Sequence, residues 1–275
     1  MERWRGRVAV VTGASAGIGA AIAYQLQDAG LNVVALARRK EKIQAAVEAA
    51  RKQALERGRV SLGKAPSPGE LHTLRCDVSN EDDVLAAFKW VKDNLKTVHI
   101  LVNNAGVGGC TKLDETNTEE WRRLLNINVL GLSICTREAI QLMRASNVDD
   151  GHIVHIGSRS GQVIVGLPGL SVYSASKHAV RVLTEGLRKE LVAAKSRIRV
   201  TEVSPGLTQT DLMTNLDRGR ARALKKVDQS GKLQDFWSIP HLNPEDVADV
   251  VLYALSTPPH VQIHEIFVMP VGDAF

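Results

Sequence analysis

Tyr173 and Lys177 are the chemically most informative pair in this sequence of 275 residues, because a phenol and an amine stand four positions apart. In a helix, side chains at this spacing project from the same face, so the ammonium can lie close to the phenol and favour its ionised form. Such a pair can accept and return a proton. Because the same spacing is common on helix surfaces, the residues upstream must decide between catalysis and a surface position.

A glycine-rich turn lies far upstream of this pair, in the segment Thr12-Gly-Ala-Ser-Ala-Gly-Ile-Gly19. An apolar run ends at the turn and a helical pattern begins within it. Gly13, Gly17 and Gly19 permit a tight turn and let backbone N–H groups approach a pyrophosphate closely. The turn predicts a dinucleotide site, and beside such a site the tyrosine and lysine are interpreted as catalytic.

The end of the second predicted strand bears on the choice of cofactor. A site that prefers NAD places a carboxylate there to accept the ribose hydroxyl groups. This sequence has Ala37 followed by Arg38 and Arg39, and a guanidinium can pair bidentately with a 2′-phosphate. We therefore expect NADP(H), with Arg38 as the first contact and Arg39 as the second. The alternative is that both arginines are solvent-facing residues at the start of a helix.

The elements that must position these residues alternate along the chain. Short β-branched runs alternate with segments of helical periodicity, which indicates a parallel sheet with crossover helices. The predicted strands are Arg7 to Thr12, Asn32 to Ala37, Leu71 to Arg75, Val98 to Val102, His152 to Ile156, Arg199 to Val203 and Gln262 to Val268. Helices are expected to begin near Gly17, Lys40, Glu81, Thr118, Val172 and Pro244, the last with Asn243 as its N-cap.

These elements predict an α/β fold, a single-domain doubly wound Rossmann fold over residues 1–275. The sheet has seven parallel strands with helices on both faces. The glycine turn should lie at the carboxyl edge of a central strand, where the strand order reverses direction. That edge is the expected binding crevice.

Composition excludes several functional classes. The net charge of +5 is spread among acidic residues and is too diffuse for a nucleic-acid footprint. Three separated cysteines and eight isolated histidines lack metal-ligand spacing, so we predict no metal site and a reducing, cytoplasmic setting. No apolar run approaches the about 20 residues of a membrane span, and the N-terminal segment is predicted to be a first strand rather than a signal peptide.

Two segments interrupt the alternating pattern. Gly58 to Gly69, which contains two prolines, is predicted to be a surface loop, and we assign it no function. Residues 211–240 form a long polar segment with apolar residues at intervals. We expect this segment to be a lid over the substrate; the alternative is an ordinary helical excursion packed on the domain.

Seven motifs in register resemble those of the short-chain dehydrogenases/reductases, and the resemblance covers essentially the whole chain. They are Thr12 to Gly19, Cys76-Asp77-Val78, Asn103-Asn-Ala-Gly106, Asn128 in Asn-Val-Leu-Gly131, Ser158, Tyr173-x-x-x-Lys177 and Pro205-Gly206. Four further segments are similar to a subgroup that includes the insect farnesol dehydrogenases: 2–5, 133–139, 147–153 and 256–263.

The resemblance implies a catalytic group of four residues. Tyr173 is the expected proton donor in reduction and acceptor in oxidation, while Lys177 lowers the pKa of that phenol and binds the nicotinamide ribose. Ser158 is expected to hydrogen-bond the substrate oxygen, and Asn128 to hold a water that passes protons to the lysine. The residues expected to bind NADP(H) are Gly13, Ser15, Gly17, Ile18, Gly19, Arg38, Arg39, Asp77, Val78, Asn103, Asn104, Ala105, Gly106, Tyr173, Lys177, Pro205, Gly206, Thr208 and Thr210.

The sequence departs from the family pattern at two places near the catalytic serine. Gly157 stands where a serine or asparagine is common, and the interval from Ser158 to Tyr173 is two residues longer than usual, which bears on the shape of the substrate pocket. Candidate substrate-facing residues are mostly apolar and predict a hydrophobic carbonyl or alcohol, such as a steroid or isoprenoid. They are Arg159, Val163, Ile164, Leu167, Gly108 to Cys110, Met213, Leu216 and Trp237.

A catalytically silent NADP(H)-binding sensor or scaffold is the rival function. It is disfavoured because all four catalytic residues are present. An enoyl reductase is disfavoured by the short spacing between tyrosine and lysine. The resemblance also implies a homodimer or homotetramer, formed through helices near Thr118 to Arg144 and Val172 to Ala194.

Overall fold

The computed structural model describes residues 1–59, 65–109, 112–164, 169–212, 226–227, 233–234 and 240–273. Within these ranges no helix is both long and apolar enough to span a membrane. Most of the expected lid, and part of the predicted loop at 58–69, lie outside the described residues.

Seven parallel strands form the main sheet within the described ranges, in the order β3-β2-β1-β4-β5-β6-β7. The strand order reverses between β1 and β4, so the carboxyl ends of these two strands flank the crevice expected for a doubly wound sheet. The bounds are β1 Val8–Thr12, β2 Asn32–Ala37, β3 Leu71–Arg75, β4 Ile100–Asn103, β5 His152–Ile156, β6 Arg199–Pro205 and β7 Glu265–Val268.

Helices cover both faces of the sheet and enclose two apolar cores. One core joins β-strand side chains to α1, α2 and α7, and the other joins the opposite face to α3, α5 and α6. The helices are α1 Gly17–Asp28, α2 Ile43–Glu56, α3 Glu81–Leu95, α4 Thr118–Leu125, α5 Leu132–Ala145, α6 Ser171–Ala193 and α7 Pro244–Ser256. A π-helical segment, Asn126–Gly131, joins α4 to α5.

The predicted single-domain Rossmann fold is confirmed, and most element boundaries follow the sequence pattern. The Asn243 side chain caps α7 in a reciprocal capping box with Asp246. Two boundaries differ by three residues, and smaller shifts occur elsewhere, as at β4, which begins at Ile100 rather than Val98. Lys40 opens a short 3-10 turn that precedes α2. β7 begins at Glu265 rather than Gln262, because the side chains of Thr201 and Gln262 bond the Ile263 carbonyl there.

The described part of the segment at 58–69 packs against the start of α7. Arg59 pairs with Asp246 and Asp249, and the neighbouring Arg57 pairs with the fully buried Glu245. These ion pairs tie the end of α2 to α7. The described part of the segment therefore joins two helices that pack on the same face of the sheet.

Candidate active site

A cavity of about 390 Å³ opens at the carboxyl edge of the sheet, between the ends of β1 and β4. This volume lies within the usual range for ligand sites. Ser158, Tyr173 and Lys177 line the cavity together with most residues expected to bind the cofactor. Those cofactor residues are Gly13, Ser15, Gly17, Ile18, Arg38, Arg39, Asp77, Val78, Asn104, Ala105, Gly106, Pro205, Gly206, Thr208 and Thr210.

The glycine turn has the close approaches that its composition predicts. Gly13 has φ +69°, and a Cβ there would lie 2.8 Å from the Ala105 Cα. Gly17 also has positive φ. The N-cap of α1, Ala16, makes no side-chain cap, so the N–H groups of the first turn remain for another acceptor. A pyrophosphate fits this arrangement of N–H groups at a helix N-terminus.

Gly19 has a packing role instead of lining the cavity. A Cβ on Gly19 would lie 2.5 Å from the Gly13 carbonyl oxygen, so glycine is required for α1 to lie close to the end of β1. Its predicted contact with the cofactor stays a prediction.

The two adjacent asparagines at the end of β4 point to opposite sides. Asn104 faces the crevice, and its side chain donates to the Thr12 carbonyl at 2.9 Å. The Asn103 side chain is buried beneath the sheet and donates to Thr136 Oγ1 at 2.8 Å. Because successive strand residues face opposite sides, Asn104 lines the cavity and Asn103 does not; the contact of Asn103 with the cofactor stays a prediction.

Arg38 and Arg39 both line the cavity at the end of β2. Both are exposed, and within the described ranges neither guanidinium pairs with a carboxylate. Ala37 precedes them, so no acidic side chain occupies the position that would accept ribose hydroxyl groups. The two cations remain available for a phosphate.

Ser158 and Tyr173 approach each other from different elements. Ser158 caps the 3-10 turn Arg159–Gly161, where its hydroxyl accepts from the Ser160 N–H at 3.1 Å. Tyr173 lies in the first turn of α6. Burial raises the pKa of Tyr173, and a hydrogen bond with the Ser158 side chain opposes this effect. The phenol is thus held in its protonated form at neutral pH.

The expectation that Lys177 lowers the pKa of Tyr173 is not met, because the phenol pKa is raised. Lys177 Nζ donates to the Ile156 carbonyl at 2.8 Å, so the ammonium is anchored to the end of β5. Burial lowers the pKa of Lys177 to about 8, and the negative charge of Glu202 opposes the fall. Desolvation therefore dominates at both groups, over a hydrogen bond at Tyr173 and over the charge of Glu202 at Lys177.

Asn128 lies in the π-helical segment and is locked by hydrogen bonds. Its amide donates to the Val107 carbonyl at 2.9 Å and to Ser176 Oγ at 3.0 Å, and its oxygen accepts from the Val107 N–H at 2.9 Å. A Cβ on Gly106 would lie 3.5 Å from Asn128 Oδ1 and 3.8 Å from Lys177 Nζ. The amide oxygen and the ammonium therefore face one side of the same glycine.

Only some of the predicted substrate-facing residues line the cavity. Arg159 lines the cavity but its guanidinium pairs with Asp273 at 3.1 Å. Gly108 and Gly109 also line it, whereas Val163 and Ile164 do not, and Ile164 is 87% exposed. The contact of these two apolar residues with the substrate stays a prediction. The other five candidates lie outside the described residues: Cys110, Leu167, Met213, Leu216 and Trp237.

Several cavity residues carry no recognisable signal in the sequence. Leu170, Leu207, Leu212 and Asp273 line the cavity. Asp273 in particular reaches it from the C-terminal end, which only the folded chain brings beside Arg159. Among the described residues, no group of three or more potential metal ligands lies together.

Comparisons with known proteins agree with this architecture. A family model described as short chain dehydrogenase matches residues 7–221. The chain is 44% identical over 270 residues to dehydrogenase/reductase SDR family member 11 of Gallus gallus, covering 98% of each chain. It is 42% identical over 276 residues to farnesol dehydrogenase of Aedes aegypti, covering 100% of each. The subgroup indicated by four sequence segments is thereby confirmed.

A solved structure is also similar over nearly the whole length. This is the closed form of serine dehydrogenase complexed with NADP+, with a TM-score of 0.76 and 27% identity, covering 98% of this chain and 96% of that one.

Proposed function

The chain belongs to the short chain dehydrogenase family and is thus an oxidoreductase, and from this premise we propose that it uses NADP(H) to interconvert a hydrophobic alcohol and the corresponding ketone or aldehyde. The observation that carries the proposal is the convergence of Ser158, Tyr173 and Lys177 on one cavity with the glycine turn. These groups come from three different parts of the chain. A scaffold that only binds nucleotide has no need for their joint position.

The side chains divide the proton chemistry among them, while the bound nicotinamide supplies or accepts the hydride. Ser158 hydrogen-bonds the substrate oxygen and stabilises developing charge. Tyr173 gives its proton to that oxygen in reduction, and its raised pKa keeps the proton in place at neutral pH. Lys177 binds the nicotinamide ribose. Asn128 Oδ1 holds a water near the ammonium, a role supported by the two polar atoms that face Gly106.

The preference for NADP(H) is supported by the end of β2. Arg38 and Arg39 line the cavity without a carboxylate partner among the described residues. A 2′-phosphate would pair with these cations, whereas the ribose hydroxyl groups of NAD find no acceptor at Ala37. The serine dehydrogenase of similar fold was solved with NADP+.

A hydrophobic substrate is supported by the apolar side chains in the lining of the cavity. Val107, Leu170, Leu207 and Leu212 are among them, and one relative is named for farnesol. We therefore propose a steroid or isoprenoid alcohol or carbonyl as the substrate class. Comparable kcat/KM values for a sugar and for an isoprenoid aldehyde would remove the basis of this choice.

The function is tested by following NADPH oxidation with a panel of ketones and aldehydes, in the parent and in Tyr173→Phe. Tyr173→Phe should lose about 10²–10⁴-fold in kcat while it still binds NADPH, since general acid catalysis contributes about this factor to the rate. Tyr253→Phe is the matched control, because Tyr253 is exposed on α7. NADPH binding without turnover of any panel member in the parent would favour the scaffold instead.

We also propose a homodimer or homotetramer, supported by exposed apolar side chains at the end of α4, in the π-helical segment and on α6, namely Leu125, Leu130, Val182 and Val192. Sedimentation at several protein concentrations tests this proposal, and a monomer at all of them refutes it.

Cytoplasmic location stays a prediction from the cysteine usage, supported by the buried free thiols of Cys76 and Cys135.

A further inference from the structure

A row of polar side chains crosses four neighbouring strands of the sheet. Asn103, His155, Glu202 and Glu265 occupy paired register positions on β4, β5, β6 and β7. The first three are buried, and Glu202 is only 1% exposed. Buried strand positions beneath helices are ordinarily apolar, because an unpaired buried charge is costly. The row therefore needs a physical explanation.

The half of the row on β4 and β5 is neutral and has structural partners. Thr136 Oγ1 contacts both Asn103 and His155, and Thr184 Oγ1 lies 2.8 Å from His155 Nδ1. Burial lowers the pKa of His155 to about 3, with the nearby Lys177 charge adding to the fall. This imidazole is uncharged at any working pH, so Glu202 is the buried member of the row that can carry charge.

The Glu202 carboxyl lies against the peptide that anchors the lysine. A Cβ on Gly157 would overlap the carboxyl group, with Glu202 Cδ at 2.9 Å and Ser204 Oγ at 2.7 Å. The carbonyl immediately before Gly157, that of Ile156, accepts from Lys177 Nζ at 2.8 Å. Gly157, the departure from the family pattern, is therefore explained by the room that the carboxyl needs.

Other polar groups face Glu202 from every element packed against it. Ser204 on β6 donates to its Oε1 at 2.9 Å, and Gln162 reaches Ser204 from the 3-10 turn. Glu265 lies beside it on β7, and Arg181 on α6 pairs with Glu265 at 3.7 Å. Glu265 therefore has Arg181 as an ion-pair partner, whereas the positive charge that lowers the pKa of Glu202 most is that of Lys177, followed by Arg181.

We propose that Glu202 is a positioning residue, whose carboxylate behind the Ile156–Gly157 peptide keeps Lys177 charged and anchored in the active site. This inference rests on the proposed catalytic function of Lys177. Burial opposes the charge on that ammonium and lowers its pKa to about 8, and Glu202 acts in the other direction. Glu202 is itself effective only when ionised; burial and the neighbouring Glu265 raise its pKa, while Ser204, Lys177 and Arg181 lower it.

The test compares the pH dependence of kcat/KM for NADPH in the parent and in Glu202→Gln, which retains the shape and a hydrogen-bonding partner for Ser204. In the parent, activity should fall as pH rises through about 8, where Lys177 loses its proton. This fall is the basic limb of the pH profile. In the variant the basic limb should lie about one pH unit lower, since a nearby opposite charge shifts a pKa by about 1–3 units. Activity at pH 6 should change little, because Lys177 is still charged there.

Glu265→Gln is the matched control, since it removes a carboxylate from the same row but one strand farther from the lysine. Its basic limb should stay near that of the parent. A purely structural role for Glu202 would lower kcat at every pH and leave the limb in place. An unmoved limb in Glu202→Gln therefore overturns the inference.

A second measurement tests the geometry without reference to activity. Gly157→Ala should lower Tm, and should lower it less in the Glu202→Ala background, because the overlapping carboxyl is then gone. Equal losses in both backgrounds would refute the proposed contact. Full activity of Tyr173→Phe would refute the proposed function. The Tm comparison does not depend on activity, so it would still show whether Gly157 contacts Glu202.

Discussion

Replacing Lys177 by methionine should abolish turnover and make the protein more stable. Lys177 is 7% exposed, and burial lowers its pKa from 10.5 to about 8. At about 1.36 kcal/mol for each pKa unit, this fall corresponds to about 3 kcal/mol of destabilisation while the group is charged. Loss of the hydrogen bond to the Ile156 carbonyl costs about 1 kcal/mol. We expect a net gain of about 2 kcal/mol for Lys177→Met.

The corresponding rise in Tm is about 3–4 °C, since unfolding entropy is about 2.1 cal/mol/K per residue near 60 °C. The gain should also depend on pH. Because the folded-state pKa lies below the unfolded value, the unfolded chain binds more protons between about pH 8 and 10.5. The free energy of unfolding of the parent therefore rises with pH through this window, and the penalty is fully present below it.

The assay is urea unfolding of the parent and Lys177→Met at pH 7 and pH 10, at one fixed protein concentration. The stability difference should be largest at pH 7 and should narrow at pH 10. Lys189→Met is the control, because Lys189 is largely exposed and should change stability by less than about 0.5 kcal/mol at either pH. A Lys177→Met variant less stable than the parent at pH 7, or a difference independent of pH, would refute the reasoning.

Four further substitutions test the cofactor site and the packing of the helices. Arg38→Asp should reverse the ratio of kcat/KM for NADPH over NADH, because a carboxylate repels the 2′-phosphate and accepts ribose hydroxyl groups; an unchanged ratio places the phosphate elsewhere. Gly19→Ala should destabilise the protein by about 1–3 kcal/mol through overpacking. Gly186→Ala, with open space around its Cβ, should stabilise it by about 0.5–1 kcal/mol. Similar Tm shifts in the two variants would contradict the packing argument. Arg57→Ala should destabilise by about 3 kcal/mol in chemical denaturation, because it leaves buried Glu245 without its partner; a loss below about 0.5 kcal/mol would show that the pair contributes little.

The fold and the outline of the site are predictable from the sequence because both depend on local patterns. Alternating apolar strands and amphipathic helices specify a parallel sheet, and the glycines after β1 allow only a tight turn there. Since the carboxyl ends of parallel strands share one edge, motifs that follow β1, β4, β5 and β6 must meet. Ser158, Tyr173 and Lys177 line the cavity for this reason.

The charge states and side-chain directions were decided by the tertiary structure. The spacing of Tyr173 and Lys177 predicts a lowered phenol pKa, but burial, which no spacing reveals, raises it. The lid expected at 211–240 is mostly outside the described residues and stays a prediction.

Strand register and the path of the chain determine the remaining contacts of the site. Asn103 turns beneath the sheet, Glu202 enters the core behind Gly157, and Asp273 returns from the C-terminal end to pair with Arg159. Each of these contacts joins residues far apart in the chain or on neighbouring strands. The sequence by itself determined which elements form and which motifs meet at one edge, because these follow from local periodicity. Only the packed structure determined which polar groups lose water and which charges then face each other, because desolvation and register are properties of the whole fold.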